Sequence, residues 1–291
     1  MTETAKYHEK LVEEQAYKTA IDAAITAGER VRQYWPNPLN PDFDKRKAME
    51  IFDKSEGIGN FATTADMESE DIIVGKIQDN PLLTDHRIRG EEKHEIITES
   101  EWEWINDPID GTLNFNIGDE QFCIATGVRK GNEMVIGVIA LPAKRQLIAA
   151  RKDKAVLLSF DGKILIDDLR NIETKPTATN RLLVAYDLGY TERDMQLRNV
   201  VSKVAGQIAY PKCLGSISYS NALIALGLLH GNFVMKPTIY DIAAASKIVS
   251  AVGGISTNME GKPHDWTAPT RTYLAGRTPQ IHQQLLTVIN S

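Results

Sequence analysis

Trp104-Ile105-Asn106-Asp107-Pro108-Ile109-Asp110-Gly111-Thr112-Leu113-Asn114-Phe115 is the stretch on which the interpretation of the whole chain turns. An apolar run delivers Asp107, and Asp110 follows with Pro108 and Ile109 between them. Proline fixes its own φ and keeps the preceding residue out of the helical region. The pattern therefore predicts a turn at the tip of a strand, with both carboxylates and the Ile109 carbonyl facing one point. Such an all-oxygen set suits a hard cation such as Mg²⁺. Gly111 and Thr112 then offer backbone N–H groups where a helix could start, which is an anion site. A metal beside a phosphate cradle is the minimum equipment for metal-assisted phosphoryl chemistry.

The same letters are also ordinary turn formers, since Asp-Pro and Asp-Gly both favour turns. A calcium-loop alternative fails on spacing. Counted back from Gly111, its ligand positions would be Asn106, Pro108 and Asp110, and its closing Glu would fall on Ile117.

The 291 residues suffice for one large domain or two modest ones, with possible halves at 1–150 and 151–291. A formal net charge of −6 argues against a nucleic-acid groove. It would also repel an anionic substrate unless a bound cation reverses the local field. Cys123 and Cys213 lie far apart without metal-ligand spacing, so neither a disulfide framework nor a zinc site is expected. The polar, Glu-bearing start does not resemble a signal peptide, and no apolar run is long enough to span a bilayer. A cytoplasmic protein without a membrane partner is the expectation.

Residues 11–31 carry a helical apolar stripe that ends at Trp35-Pro36. Residues 45–59 look like a polar excursion closing on Gly57-Ile58-Gly59, which lacks the third Gly of a dinucleotide fingerprint. A helix is predicted from Thr63-Thr64-Ala65-Asp66 to Ile77, then a short strand at Arg87-Ile88-Arg89. Further strands are predicted at 101–106, 122–128, 135–141 and 146–150, with a hairpin across Asp161-Gly162. The second half alternates: strand 182–186, helix 193–209, helix 215–229, strand 233–235, helix 240–252, strand 255–257. Antiparallel strands first and alternation afterwards predict an α/β fold of layered sheets and helices.

Other acids stand at element ends. Glu91-Glu92 follows Gly90 after the short strand, where paired acids are commonly solvated surface. Asp66 and Asp241 begin helices, where capping alone would explain them.

Taken together, these motifs resemble the inositol monophosphatase family of Mg²⁺-dependent, lithium-sensitive sugar phosphatases. Asp107 to Phe115 resembles its first signature, and Tyr240-Asp241-Ile242-Ala243-Ala244-Ala245 with Gly253-Gly254 its second. Gly90-Glu91-Glu92 resembles its glycine-acid-acid element, and Thr63 to Asp66 its Thr-x-x-Asp. The resemblance runs from about residue 11 to the C-terminus and is weak between 151 and 205.

It implies a layered sugar-phosphatase fold as one catalytic domain over residues 1–291 that assembles as a homodimer and acts on a small phosphorylated metabolite. Glu91, Asp107 and the Ile109 carbonyl would hold one Mg²⁺; Asp107, Asp110 and Asp241 would hold a second. Glu91 and Thr112 would orient and deprotonate the attacking water, Asp66 would hydrogen-bond Thr112, and the Gly111 and Thr112 amides would bind phosphate. A third ion would sit at the loop of Lys54, where Asn60 replaces an expected acid. Gly215, Ser216 and Ile217 match the substrate-side helix start. Val234 stands where many members carry a Glu that reaches a sugar hydroxyl. Lys236, two residues on and so on the same face of a strand, would meet a second phosphate. Inositol monophosphate, fructose 1,6-bisphosphate and 3′-phosphoadenosine 5′-phosphate are the candidate substrates; a non-catalytic metal- or phosphate-binding regulator is the alternative from another class.

Overall fold

Apolar runs between residues 102 and 159 become neighbouring strands of one large sheet, most of them buried along nearly their whole length. The computed structural model describes residues 3–41, 43–54, 61–174, 181–187, 194–269 and 272–291. In chain order these form α1 (Glu3–Arg32), β1 (Ile51–Asp53), β2 (Phe61–Thr63), α2 (Thr64–Gln78), β3 (Arg87–Gly90), β4 (Glu95–Ile96), β5 (Trp102–Asp110) and α3 (Thr112–Ile117). Then come β6 (Cys123–Lys130), β7 (Glu133–Leu141), β8 (Gln146–Arg151), β9 (Lys154–Ser159), β10 (Ile164–Ile166) and β11 (Leu182–Asp187). The chain continues with α4 (Asp194–Gln207), β12 (Ala209–Cys213), α5 (Ile217–Ala225), β13 (Gly231–Met235), α6 (Ile239–Ala251), β14 (Ile255–Thr257), β15 (Thr272–Gly276) and α7 (Pro279–Ile289).

Among the described residues the large sheet has the order β10-β9-β8-β7-β6-β5-β3-β4, antiparallel throughout except between β3 and β5. A smaller sheet has the order β12-β11-β13-β15-β14, with β11 parallel to β12 and β13. The α1 stripe of Ala16, Ala20, Ala23, Ala24 and Ala27 packs with Ile73 and Ile77 of α2 on Trp104, Ile124 and Val138 of the large sheet. α5 and α6 lie between the two sheets. α4 and α7 cover the far face of the smaller one through Leu197, Val204, Leu285 and Ile289. The layers thus run helix, sheet, helix, sheet, helix, as the α/β expectation had it.

α6 lies almost directly on the large sheet. A Cβ at Gly127 would come 2.7 Å from Ala243 Cβ, and one at Gly137 would come 2.6 Å from the Ala244 carbonyl oxygen. Small residues on both sides permit this approach, which carries Asp241 down to the level of β5.

β5 is buried along nearly its whole length, as a strand covered by helices on both faces should be. The predicted turn at Pro108 is a bulge instead. The ladder with β6 pairs Asp107 with Ala125 and then Asp110 with Cys123, so β5 carries one extra residue. Pro108 has no N–H for that ladder. The bulge has a direct chemical consequence. In a regular strand residues three apart point to opposite faces; one extra residue returns Asp110 to the side of Asp107.

Other boundaries differ too. The helix expected to reach Ala209 ends at Gln207, and Ala209–Cys213 is an edge strand that tolerates Pro211. The helix expected to reach Leu229 stops at Ala225, before Gly227 in the left-handed region at φ 70°. Part of the expected polar excursion is β1, paired with β2. The Gly57-Ile58-Gly59 segment, Asn60 and Arg193 lie outside the described residues. No helix among the described residues is long and apolar enough to cross a membrane.

Candidate active site

Three carboxylates converge where β5, α5 and α6 meet: one oxygen from each of Asp107, Asp110 and Asp241 lies within 4.8 Å of the others. The bulge supplies the first two. The third comes from a capping box, in which the Thr238 N–H and hydroxyl donate to Asp241 Oδ2 at 2.6 and 2.8 Å. That leaves Oδ1 of Asp241 for the cluster. α2 repeats the device: the Thr63 N–H and hydroxyl donate to Asp66 Oδ2 at 2.8 and 2.5 Å. Asp66 Oδ1 then accepts from the Thr112 hydroxyl at 3.3 Å. Each acid does serve as a cap, and each keeps one oxygen for the site.

The Thr112 hydroxyl has a second acceptor, the Ile109 carbonyl at 3.0 Å. The single hydroxyl proton is shared between these two acceptors, with the Ile109 carbonyl the nearer. Gly111 makes the corner into α3, with φ 90° and its Cα so close to Gln121 that a Cβ would lie 2.9 Å from that carbonyl oxygen.

Burial pushes the Asp107 and Asp241 carboxyls well above the ordinary carboxylate range. Repulsion adds to this, from Glu91 and Asp110 in both cases. Burial also pushes Asp110 up to about 7, against the pull of the Ser218 amide. Asp66 is pushed up to about 7 by burial, with the Thr63 hydroxyl opposing. Among the described residues no Lys, Arg or His pairs with Asp107, Asp110 or Asp241, and Asp107 Oδ1 is buried without a hydrogen-bond partner. Like charges so enclosed are costly unless protonated or bridged by a cation. Oxygen donors alone, with no His or Cys ligand in the cluster, fit Mg²⁺.

The sequence model of the inositol monophosphatase family matches residues 12–291. The chain belongs to the inositol monophosphatase family. An inositol-1-monophosphatase of Bacillus subtilis is 26% identical over 78% of this chain and 82% of its own. The Nus factor SuhB of Haemophilus influenzae is 28% identical over 81% and 82%. The solved extragenic suppressor protein suhB of Bartonella henselae shares the fold, with TM-score 0.79 at 21% identity over 94% of this chain and 98% of its own.

Within the family frame, several expected residues have other surroundings. Glu91 stands outside the three-carboxylate cluster. Lys54 Nζ donates to Glu91 Oε1 at 3.1 Å and to Glu92 Oε1 at 2.5 Å. Burial works against the Lys54 charge, yet the two carboxylates outweigh it and raise its pKa.

Ser216 and Ile217 were expected to face substrate, but both are buried. The Ile217 N–H donates to Asp110 Oδ1 at 3.3 Å and the Ser218 N–H to Oδ2, so the start of α5 clasps a carboxylate. The Ser216 hydroxyl caps α5 by accepting from the Tyr219 N–H. Gly215 remains exposed, held against Asn114.

The same-face argument for Val234 and Lys236 also fails. Val234 is buried among Ile105, Ile242 and Tyr273, whereas Lys236 lies past the end of β13 with φ 57°, and is exposed. A left-handed residue breaks the strand alternation.

Residues not singled out beforehand complete the site. The Ser69 hydroxyl donates to the Pro108 carbonyl at 2.9 Å. Glu70 accepts the Glu92, Lys93 and His94 amides at 2.8, 2.8 and 2.7 Å. Both lie on the Asp66–Ile73–Ile77 stripe, and polar residues at i+3 and i+4 of a buried stripe were the available signal.

The electrostatics give a first prediction. Asp66 and Asp110 have folded-state pKa values near 7, above the ordinary 3.8. A raised carboxyl stabilises the fold fully below about pH 4 and loses that contribution as pH rises through 7. In chelator, the melting temperature should therefore fall between pH 5 and 8, and Mg²⁺ should restore much of it at pH 8. A flat profile with no Mg²⁺ effect would rule out the charged cluster as a cation site.

Proposed function

We propose that this protein hydrolyses a small phosphate monoester with Mg²⁺ as cofactor, and that residues 1–291 form one catalytic domain working as a homodimer. The observation that carries the reading is the Asp107–Asp110–Asp241 cluster beside the Thr112–Asp66 hydrogen bond. Asp107, Asp110 and Asp241 would hold one ion; Glu91, Asp107 and the Ile109 carbonyl would hold another. When bound, such ions neutralise phosphate charge and lower the pKa of water.

The chain's own groups do the positioning. With the Ile109 carbonyl engaged elsewhere, the Thr112 hydroxyl donates to Asp66 Oδ1 and leaves its lone pairs to accept a hydrogen bond from the attacking water, which orients it. Glu91 is the carboxylate that takes up that proton. The Gly111 and Thr112 amides hold the phosphate at the start of α3. Phosphoryl transfer needs such alignment and charge neutralisation more than covalent help.

Relatives named inositol-1-monophosphatase support a sugar or polyol phosphate. With Val234 in the apolar core, no carboxylate at that position selects the polyol, so fructose 1,6-bisphosphate and 3′-phosphoadenosine 5′-phosphate stay among the candidates. Lys236 enters as an exposed cation past the end of β13 that would meet a second phosphate.

A second reading comes from relatives named Nus factor SuhB: the chain would be a Nus factor that retains the carboxylates. The intact Thr112–Asp66 pair favours catalysis.

A panel of the three candidate esters, assayed for released phosphate, separates the readings. Release should require Mg²⁺, stop with chelator and be inhibited by lithium. No release from any ester by protein that still takes up Mg²⁺ would favour the second reading.

A further inference from the structure

Helix α2 turns one face towards three separate parts of the site. Asp66 meets Thr112, Ser69 meets the Pro108 carbonyl inside the bulge, and Glu70 meets the loop after β3. The Glu70 contact differs in kind from the other two. Its side chain is fully buried, and among the described residues no cation pairs with it. Its charge is instead enclosed by the three successive N–H groups of Glu92, Lys93 and His94. Consecutive amides converging on one carboxylate form a nest, a strong and directional way to hold an anion. The loop sits so closely on this carboxylate that a Cβ at Gly90 would come 2.5 Å from Glu70 Cδ. Glu91 lies between that contact and the first of the three amides, so its backbone has little freedom.

We propose that Glu70 is a positioning residue: by holding the amides of residues 92–94 it aims Glu91 at the reaction centre. The proposal rests on the phosphatase reading above. It makes Glu70 as necessary to the Glu91 position as the bulge is to Asp107 and Asp110. A carboxamide cannot replace it, because a glutamine presents one acceptor oxygen and one NH₂ donor to three N–H donors. Glu70→Asp keeps the charge but shortens the reach, and should give an intermediate phenotype.

The test combines Mg²⁺ titration calorimetry of the full chain with a double-mutant cycle on turnover. Glu70→Gln should lower kcat by about 10–100-fold, the usual scale for a group that orients a metal ligand. It should weaken the Mg²⁺ uptake that depends on Glu91 while sparing the uptake at Asp107, Asp110 and Asp241. In a Glu91→Gln background, adding Glu70→Gln should cost less than about twofold more, because the two residues act as a unit. A purely structural role would lower the melting temperature and cost the same factor in both backgrounds. That additive result, or an unchanged Mg²⁺ isotherm for Glu70→Gln, would overturn the proposal. If Glu70→Gln does not fold, Glu70→Asp is carried through the same cycle with the same criteria. Wild-type protein that takes up no Mg²⁺ and releases no phosphate would overturn the phosphatase reading itself, a result distinct from additivity in an active enzyme.

Discussion

Asp110→Asn should reduce kcat/KM by about a thousandfold or more, equivalent to ~4 kcal/mol of transition-state stabilisation. The substitution keeps the shape of the side chain. It removes one of the three clustered charges and turns an NH₂ group towards the Ile217 or Ser218 amide that the carboxylate now accepts. Cation affinity should fall with it, since oxygen donors hold Mg²⁺ largely through charge. The opposite sign is expected for stability in chelator. One less carboxylate relieves the repulsion within the cluster, so the metal-free variant should melt above the metal-free wild type. Calorimetric Mg²⁺ titration and melting curves with and without chelator check both parts. Full activity of Asp110→Asn in metal-free buffer would end the cation reading of the site.

Thr112→Ala is the second large effect, and it should separate catalysis from ion binding. The hydroxyl touches Asp66 and the Ile109 carbonyl and stands beside the carboxylate cluster without being part of it. Turnover should drop by about 10²–10⁴-fold, the scale for one positioned acid–base partner. Mg²⁺ affinity should stay within a few-fold of wild type. Stability should fall by only about 1 kcal/mol, the net worth of a buried hydrogen bond. Thr112→Ser retains the hydroxyl and should recover most of the rate. If Thr112→Ala lost its ions instead, the hydroxyl would be a support for the Ile109 carbonyl rather than a partner of the water.

The residues that converge were largely legible because their motifs are local. Asp107-Pro108-Ile109-Asp110, Thr63 to Asp66 and Tyr240-Asp241 are short motifs, so resemblance to the family could name their acids without the fold, although turn and capping chemistry alone would explain each of them. What local pattern cannot show is which partner a group finds across the structure. Gly215, Ser216 and Ile217 matched a substrate-side helix start; in the structure a carboxylate from β5 takes the Ile217 and Ser218 amides. Ser69 and Glu70 lie on the buried stripe of α2, but which groups they meet shows only when the β5 bulge and the loop after β3 close over them. Lys236 follows a strand, yet one left-handed residue cancels the alternation that would have aimed it. β12 went unseen because Pro211 argues against a strand everywhere except at an edge.

The net charge of −6 posed a difficulty for any anionic substrate. Part of the answer lies in where the helices begin. α2 starts at the capping box of Asp66, α5 at the amides clasping Asp110, and α6 at the capping box of Asp241. Each helix start carries roughly half a positive elementary charge from its aligned peptide dipoles. The peptide backbone thus works as a fixed counter-field, independent of side-chain identity and immune to titration. Surface substitution can alter the global charge of this protein by many units and leave that local field in place, so the approach of the proposed phosphate substrate would depend on architecture as much as on composition.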